Sequence, residues 1–233
     1  MLKLAFISIH PEFINGYSSF GVFASAKKQS LAQIDVLNLR DYAKDRHGSV
    51  DDRPYGGGDG MVLRPDILAS SICNLPYEKP LVVFTSPCGK PFEQSDASRL
   101  LALKRPLAFV CGRFGGCDQR FIDHYVDEEF SLGDFVISGG ELPCLTIADS
   151  ILRLIPGVLG HKESAACDSF GSAMKNQLES PQFTRPLEFE GTEVPQVLRS
   201  GNHKEIDDWR KRKSHQLTRH LRPDLVPNTS LKL

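Results

Sequence analysis

Three glycine-rich segments are the first candidates for ligand contacts. They are residues 55–60 (Tyr-Gly-Gly-Gly-Asp-Gly), 112–116 (Gly-Arg-Phe-Gly-Gly) and 138–143 (Ser-Gly-Gly-Glu-Leu-Pro). Glycine lets a backbone turn sharply and approach a ligand closely. The last two segments follow predicted strands, and open α/β sheets bind ligands at the carboxyl ends of their strands. A single segment of this kind is more simply a tight turn, but three in one domain favour a ligand pocket.

Several common ligand signatures are missing from the sequence. It has no G-x-x-x-x-G-K-[ST], which argues against a P-loop NTPase. No G-x-G-x-x-G follows the first predicted strand, which argues against dinucleotide-binding enzymes and Rossmann-type methyltransferases. The six Cys form no C-x-x-C pair and have no His cluster beside them, so we expect free thiols and no metal centre.

A polar stripe marks one side of a helix predicted for about residues 141–154. It consists of Thr146, Asp149, Ser150 and Arg153. Because Arg153 follows Asp149 by four residues, the two could form a surface ion pair, which would contribute only about 0.3–0.5 kcal/mol. A functional role for Arg153 is the alternative.

The elements that must position these residues alternate between strand and helix. Nearly continuous apolar runs predict buried strands at 2–9, 34–39, 81–86 and 107–111, and 135–138 is a further candidate. Helical patterns cover about 20–31, 64–73 and 92–103. This alternation predicts an α/β fold with a mainly parallel sheet.

The character of the sequence changes after residue 160. Residues 161–186 are rich in Ser, Gly and Pro, which is typical of a linker or loop. A helix is predicted beyond Asn202, a plausible N-cap with Glu205 three residues later. Residues 199–233 hold nine Lys or Arg and four acids, a net charge of +5, so residues 1–198 carry −6. The basic tail suggests a polyanionic partner, with a solvated helix face as the alternative.

The overall composition is that of a globular protein. The chain has 233 residues, 40% of them hydrophobic and 24% charged. No apolar run approaches the roughly 20 residues of a membrane span, so we expect no membrane segment. The N-terminal sequence MLKLAFISIHPEF has no small-residue cleavage site, and we expect a cytoplasmic protein.

The motifs, taken in order, resemble those of the bacterial tRNA (guanine-N1)-methyltransferases of the SPOUT superfamily. The longest match is Leu-Gly-Asp-Phe-Val-Ile-Ser-Gly-Gly-Glu-Leu-Pro at 132–143. Others are Asp-Asp-Arg-Pro-Tyr-Gly-Gly-Gly at 51–58 and Arg-Leu-Ile-Pro-Gly-Val-Leu-Gly at 153–160. Shorter matches lie at 45–47, 86–87, 111–113, 168–170, 184–186, 193–195, 200–203 and 209–210.

The resemblance implies a fold and a set of partners. The fold is a SPOUT-type α/β domain over 1–160 whose C-terminal part forms a trefoil knot. A linker and active-site loop over 161–175 leads to a small helical tRNA-binding domain over 176–233. The implied enzyme is a homodimer with shared active sites. It binds the tRNA anticodon arm and S-adenosylmethionine, and methylates N1 of guanosine 37 when another guanosine precedes it.

The resemblance also implies which residues form the site. The donor-binding residues are Thr85, Ser86, Pro87, Gly112, Leu132, Gly133, Asp134, Phe135, Val136, Ile137, Gly139, Gly140 and Pro143. The tRNA-binding residues are Asp51, Arg53, Ser169, Arg185, Arg210, Lys211 and Lys213.

Two residues match catalytic positions of the family. Asp168 matches the general base that removes the N1 proton of guanine. Arg153 matches the guanidinium that stabilises negative charge on O6. Without the resemblance, we would interpret Asp168 as the N-cap of a short helix beginning near Phe170. The reaction needs no metal, although a magnesium ion could assist.

One loop departs from the family pattern. The family usually has Tyr-Glu-Gly-Ile-Asp after Gly-Arg, whereas this chain has Phe114-Gly115-Gly116-Cys117-Asp118. The missing glutamate would lie near the positive methionine part of the donor. An alternative function is therefore a tRNA-binding SPOUT protein in which the Phe114-Gly115 loop impairs methyl transfer.

Overall fold

A computed structural model describes residues 1–160 and 164–226 of the chain. The described chain divides after Gly160 into two compact units. No helix in its described part is both long and apolar enough to cross a membrane.

The first unit is built on a five-stranded parallel sheet with strand order β2-β1-β6-β5-β7. The strands are β1 (Leu2–Ser8), β2 (Ala32–Asn38), β5 (Leu81–Pro91), β6 (Leu107–Val110) and β7 (Glu128–Ser131). A two-stranded antiparallel hairpin is formed by β3 (Asp51–Asp52) and β4 (Val62–Leu63). The predicted α/β fold with a parallel sheet is confirmed.

Helices separate the strands along the chain. They are α1 (Pro11–Tyr17), α2 (Gly21–Lys28), α3 (Pro65–Cys73), α4 (Gln94–Ala102), α5 (Gln119–Tyr125) and α6 (Glu141–Leu152), with a 3₁₀ turn at Leu39–Tyr42. The central strands bury both faces, which explains their continuous apolar runs. Phe6 and Phe109 lie in one core with α2, α4 and α6, and Ile7 and Val110 lie in the other with α3 and α5.

The prediction of a strand at 135–138 is wrong. Those residues form a loop, in which Phe135 is 57% and Val136 is 87% exposed. The strand lies earlier, at β7, where Phe130 and Ser131 are the buried residues. An apolar run does not distinguish a strand buried in a core from a loop that lines a cavity. Residues 135–138 line a cavity, which is described below.

The second unit contains α7 (Ser164–Cys167), a hairpin of β8 (Glu188–Phe189) and β9 (Thr192–Glu193), α8 (Gln196–Arg199) and α9 (His203–Leu221). Short 3₁₀ turns lie at Ser172–Met174 and Pro223–Leu225. The predicted N-cap of α9 is confirmed, because Asn202 Oδ1 accepts a hydrogen bond from the Glu205 backbone N–H at 3.4 Å. Ser214 and Thr218 of α9 hydrogen-bond the backbone of Leu178.

Candidate active site

A cavity of about 520 Å³ lies at the carboxyl ends of neighbouring strands of the first unit. Its walls come from the irregular second half of β5, from the loop after β6 and from the loop between β7 and α6. This is the edge at which parallel α/β sheets bind ligands. The volume lies within the roughly 300–1,000 Å³ range of small-molecule sites.

Most of the residues expected to bind a methyl donor meet in this cavity, and the exception is Asp134. The lining includes Thr85, Ser86, Pro87, Gly112, Leu132, Gly133, Phe135, Val136, Ile137, Gly139, Gly140 and Pro143. It also includes residues that sequence reasoning missed, among them Cys88, Gln119, Ile122 and Glu129. Glu129 lies on β7, the strand that the apolar pattern did not reveal.

Glycines let two of the loops approach each other closely. The backbone N–H of Gly140 donates to the Gly112 carbonyl at 2.7 Å. A Cβ atom at Gly140 would lie 2.6 Å from the Gly112 nitrogen and 2.9 Å from the Cys111 Cα. Any larger residue at 140 would push the loops apart, which explains why glycine-rich segments build this cavity.

A buried ionic network fixes the same loops. Glu141, at the start of α6, is 2% exposed. Its carboxylate accepts hydrogen bonds from Ser8 Oγ at 2.7 Å and from Arg113 Nε at 2.9 Å. Arg113 also donates to the Ser138 carbonyl at 3.2 Å. The network therefore joins the end of β1, the loop after β6 and the loop before α6.

Tyr55 of the first glycine segment lines a second, open groove of about 850 Å³ together with Asp52, Arg53, Arg64, Asp66 and neighbouring residues. The glycines of that segment line neither this groove nor the cavity. Cys117 and Gln119 line both the groove and the cavity. The two regions are also joined through backbone, because Gly115 N–H donates to the Met61 carbonyl at 2.7 Å and Leu63 N–H donates to Gly116 at 2.9 Å. Arg53 is exposed in this groove, and Asp51 lies beside it on β3.

Arg153 lies at the end of α6, immediately after Leu152. Its backbone N–H donates to the Asp149 carbonyl at 3.0 Å, and the charges of the two side chains interact. Burial raises the pKa of Asp149, while the Arg153 charge and a hydrogen bond from Tyr17 oppose the increase. The expected proximity of Asp149 and Arg153 is therefore found in the structure, and it does not exclude a role for Arg153 in binding substrate.

Asp168 lies in the second unit, directly after α7, and is partly buried. Its carbonyl accepts a hydrogen bond from Gly171 N–H at 2.9 Å. The next helical turn begins at Ser172 with Gly171 as its N-cap residue, so the interpretation of Asp168 as the cap of a helix near Phe170 is wrong. The neighbouring Ser169 accepts a hydrogen bond from Glu179 N–H at 3.1 Å.

The predicted basic residues of the second unit are on its surface. Arg210, Lys211 and Lys213 are exposed on α9, and Arg185 is exposed before the β8–β9 hairpin. Trp209 packs edge-on against Phe183, with ring centroids 6.2 Å apart. Trp209 therefore packs against another aromatic side chain of the second unit.

All six cysteines are free, as predicted. Within residues 1–160 and 164–226, no group of three or more His, Cys, Asp or Glu side chains could hold a metal ion. Magnesium assistance therefore gains no support from the described residues.

Comparisons with known proteins agree with the motifs. The family model described as tRNA (Guanine-1)-methyltransferase TrmD matches residues 2–228. A tRNA (guanine-N(1)-)-methyltransferase of Geobacter sulfurreducens is 46% identical, over 99% of this chain and 93% of that protein. Proteins with the same name from Bartonella tribocorum and Staphylococcus carnosus are 45% and 42% identical, over 94% and 97% of this chain and 92% and 91% of theirs.

Proposed function

This chain belongs to the TrmD family of tRNA (guanine-1)-methyltransferases, and from that premise we propose its donor and its target nucleotide. The donor is S-adenosylmethionine. The target is N1 of guanosine 37 in the anticodon arm of tRNA, preceded by another guanosine. The reaction takes place in the cytoplasm, where the tRNA substrate is processed.

The observation that carries the proposal is the family match over residues 2–228 combined with the cavity at the carboxyl ends of the strands. Two features of the cavity support the binding of an adenosine-containing ligand. Phe84, Leu132 and Ile137 provide apolar walls, and the glycine loops bring backbone groups close to the ligand. Nothing observed favours the binding-only alternative, because every relative named above is a tRNA (guanine-N(1)-)-methyltransferase.

Proton removal is the first requirement of the chemistry. Guanine N1 carries a proton and becomes nucleophilic only when that proton leaves. A carboxylate held within hydrogen-bond reach can accept it as general base, which contributes about 10²–10⁴-fold to the rate. Asp168 is the residue assigned to this role, because it matches the family motif Asp168-Ser169-Phe170.

Charge stabilisation is the second requirement. Removal of the proton moves negative charge onto O6 of the guanine, and a guanidinium lowers the energy of that charge. Arg153 is assigned to this role. When bound, S-adenosylmethionine supplies an electrophilic methyl group on a sulfonium, so the protein needs only to orient the guanine towards it.

The remaining parts of the proposal concern assembly. The 1–160 domain, with its family-type trefoil knot, binds the donor. We assign residues 161–175 to the active-site loop, and 176–233 to a small helical domain that contacts tRNA phosphates through Arg210, Lys211 and Lys213. Of these ranges, 161–163 and 227–233 lie outside the residues that the structure describes. Asp51, Arg53, Ser169 and Arg185 complete the tRNA contacts. The enzyme acts as a homodimer with shared active sites.

The proposal is tested with labelled S-adenosylmethionine and two unmodified tRNA transcripts. One carries guanosine at positions 36 and 37, and the other has position 36 changed. We expect label on N1 of guanosine 37 in the first transcript only. Label on another nucleotide, or equal labelling of both transcripts, would contradict the assigned target.

The base assignment has its own test. Asp168→Ala should lower turnover by about 10²–10⁴-fold while donor affinity stays within about twofold of wild type. The matched control is Asp41→Ala, an exposed residue of the 3₁₀ turn Leu39–Tyr42 that lines neither the cavity nor the groove and should leave turnover unchanged. Normal turnover by the Asp168 variant would remove the residue from the mechanism.

A further inference from the structure

The donor cavity has two charged side chains in its lining, Arg113 and Glu129, and only one of them is neutralised by an ion pair. Arg113 is paired with the buried Glu141 behind the cavity wall. Glu129 instead accepts a hydrogen bond from the neutral hydroxyl of Ser86. In the described part of the chain, no Lys or Arg forms an ion pair with Glu129. The lining therefore carries a carboxylate without a partner cation.

The adjacent residue on the same strand, Glu128, is neutralised by a cation. Glu128 receives hydrogen bonds from Arg99, one of them at 2.7 Å, and lies outside the cavity lining. Strand alternation explains the difference, because successive side chains point to opposite faces of the sheet. Only the Glu129 carboxylate is therefore presented to a ligand.

A second residue of the cavity lining lies close enough to Glu129 to be affected by its charge. Cys117 is part of the cavity lining. Its pKa is raised mainly by burial, and further by the nearby Cys144 and by the negative charge of Glu129. A cation that entered this space would be attracted by the same charge.

The chemistry of the reaction makes this charge useful. S-adenosylmethionine is a sulfonium and carries one more positive charge than S-adenosylhomocysteine, which is left after methyl transfer. A carboxylate in a partly enclosed cavity interacts with a charge more strongly than it would in water. The carboxylate therefore stabilises the bound donor, and it contributes much less to the binding of the neutral product.

We propose that Glu129 is a specificity residue that makes the cavity bind the cationic donor in preference to its neutral demethylated product. The inference rests on the proposed function, since it takes S-adenosylmethionine as the ligand. It is specific to this chain in one respect. The family usually has a glutamate where this chain has Gly115, so Glu129 is the one carboxylate among the described lining residues.

The test compares donor and product affinities by isothermal titration calorimetry on the full chain. In Glu129→Gln, we expect the affinity for S-adenosylmethionine to fall by about tenfold and that for S-adenosylhomocysteine to stay within about twofold. Glu128→Gln is the matched control and should change neither affinity. Retained product binding shows that the Glu129 variant is folded.

A second variant separates the charge from the shape of the side chain. Glu129→Asp keeps the carboxylate and should retain most of the preference for S-adenosylmethionine over S-adenosylhomocysteine. Equal weakening of both ligands in Glu129→Gln, or the same loss of preference in Glu129→Asp as in Glu129→Gln, would overturn the charge role and leave the proposed function intact. Failure of the wild-type protein to bind either ligand would overturn the proposed function as well.

Discussion

The ionic network around Glu141 allows a quantitative prediction about the 112–116 and 138–143 segments of the cavity. Glu141→Gln keeps the shape of the side chain and an oxygen that can accept the Ser8 hydroxyl. It removes the negative charge that neutralises Arg113, whose side chain is only 23% exposed. Arg113 would then be a partly buried cation with no counter-charge from α6.

The expected cost follows from the burial of the pair. Removing one partner of a fully buried ion pair costs about 3–5 kcal/mol. Arg113 keeps some contact with water and its bond to the Ser138 carbonyl, so we expect a loss of about 2–3 kcal/mol in the free energy of unfolding. The 112–116 and 138–143 segments should also lose their fixed spacing, and donor affinity should fall by about tenfold.

Urea unfolding followed by far-UV circular dichroism measures this loss. The only Trp, Trp209, lies in the second unit, so its fluorescence reports that unit separately. The matched control is Glu12→Gln, an exposed glutamate on α1 that pairs with His10, and it should cost about 0.5 kcal/mol or less. A Glu141 variant as stable as this control would show that the buried pair does not hold the loops.

Further predictions concern glycine packing, acid stability and the basic helix. Gly139→Ala would place a Cβ 2.3 Å from Arg113 Nε and should greatly weaken donor binding in calorimetry, whereas Gly16→Ala on α1 meets no atom within 4 Å and should be harmless. The Asp96 pKa is lowered because hydrogen bonds from Lys90 and Arg99 outweigh the raising effect of burial. The stability it contributes should therefore be lost as pH falls below about 4. Asp96→Asn should destabilise at pH 7 but hardly at pH 3 in urea titrations. Neutralising the basic residues of 210–213 should weaken tRNA binding and reduce its salt dependence in filter-binding assays, and an unchanged salt slope would remove this segment from the interface.

The sheet was predictable because its central strands are buried on both faces. Leu4–Ile7 and Leu107–Val110 have no polar residue to break the apolar run, so pattern and burial agree. β7 was missed because its first two residues are Glu128 and Glu129, one ion-paired outside the cavity and the other facing into it. An edge strand whose side chains form an ion pair and line a cavity lacks the continuous apolar run of a core strand.

The candidate site was predictable in part for a similar reason. Two of the three glycine segments, 112–116 and 138–143, contribute residues to the cavity lining, and the family motifs named many of the other lining residues. Neither reveals that Arg113 is neutralised and Glu129 is not, because Glu141 and Ser86, which contact them, are far away in sequence. Ser8 and Glu141 are separated by 133 positions, and only the fold brings them within 2.7 Å.

The hydrogen bond between Gly115 and Met61 limits how this loop can vary. A Cβ at position 115 would lie 3.0 Å from the Met61 carbonyl oxygen, closer than side chains normally approach backbone. Any larger residue here thus requires the 61–63 backbone to shift by a few tenths of an ångström. A substitution at position 115 and the backbone conformation of 61–63 consequently depend on each other. A glutamate grafted at 115 would be tolerated best if the 51–63 hairpin of a glutamate-containing relative were transferred with it.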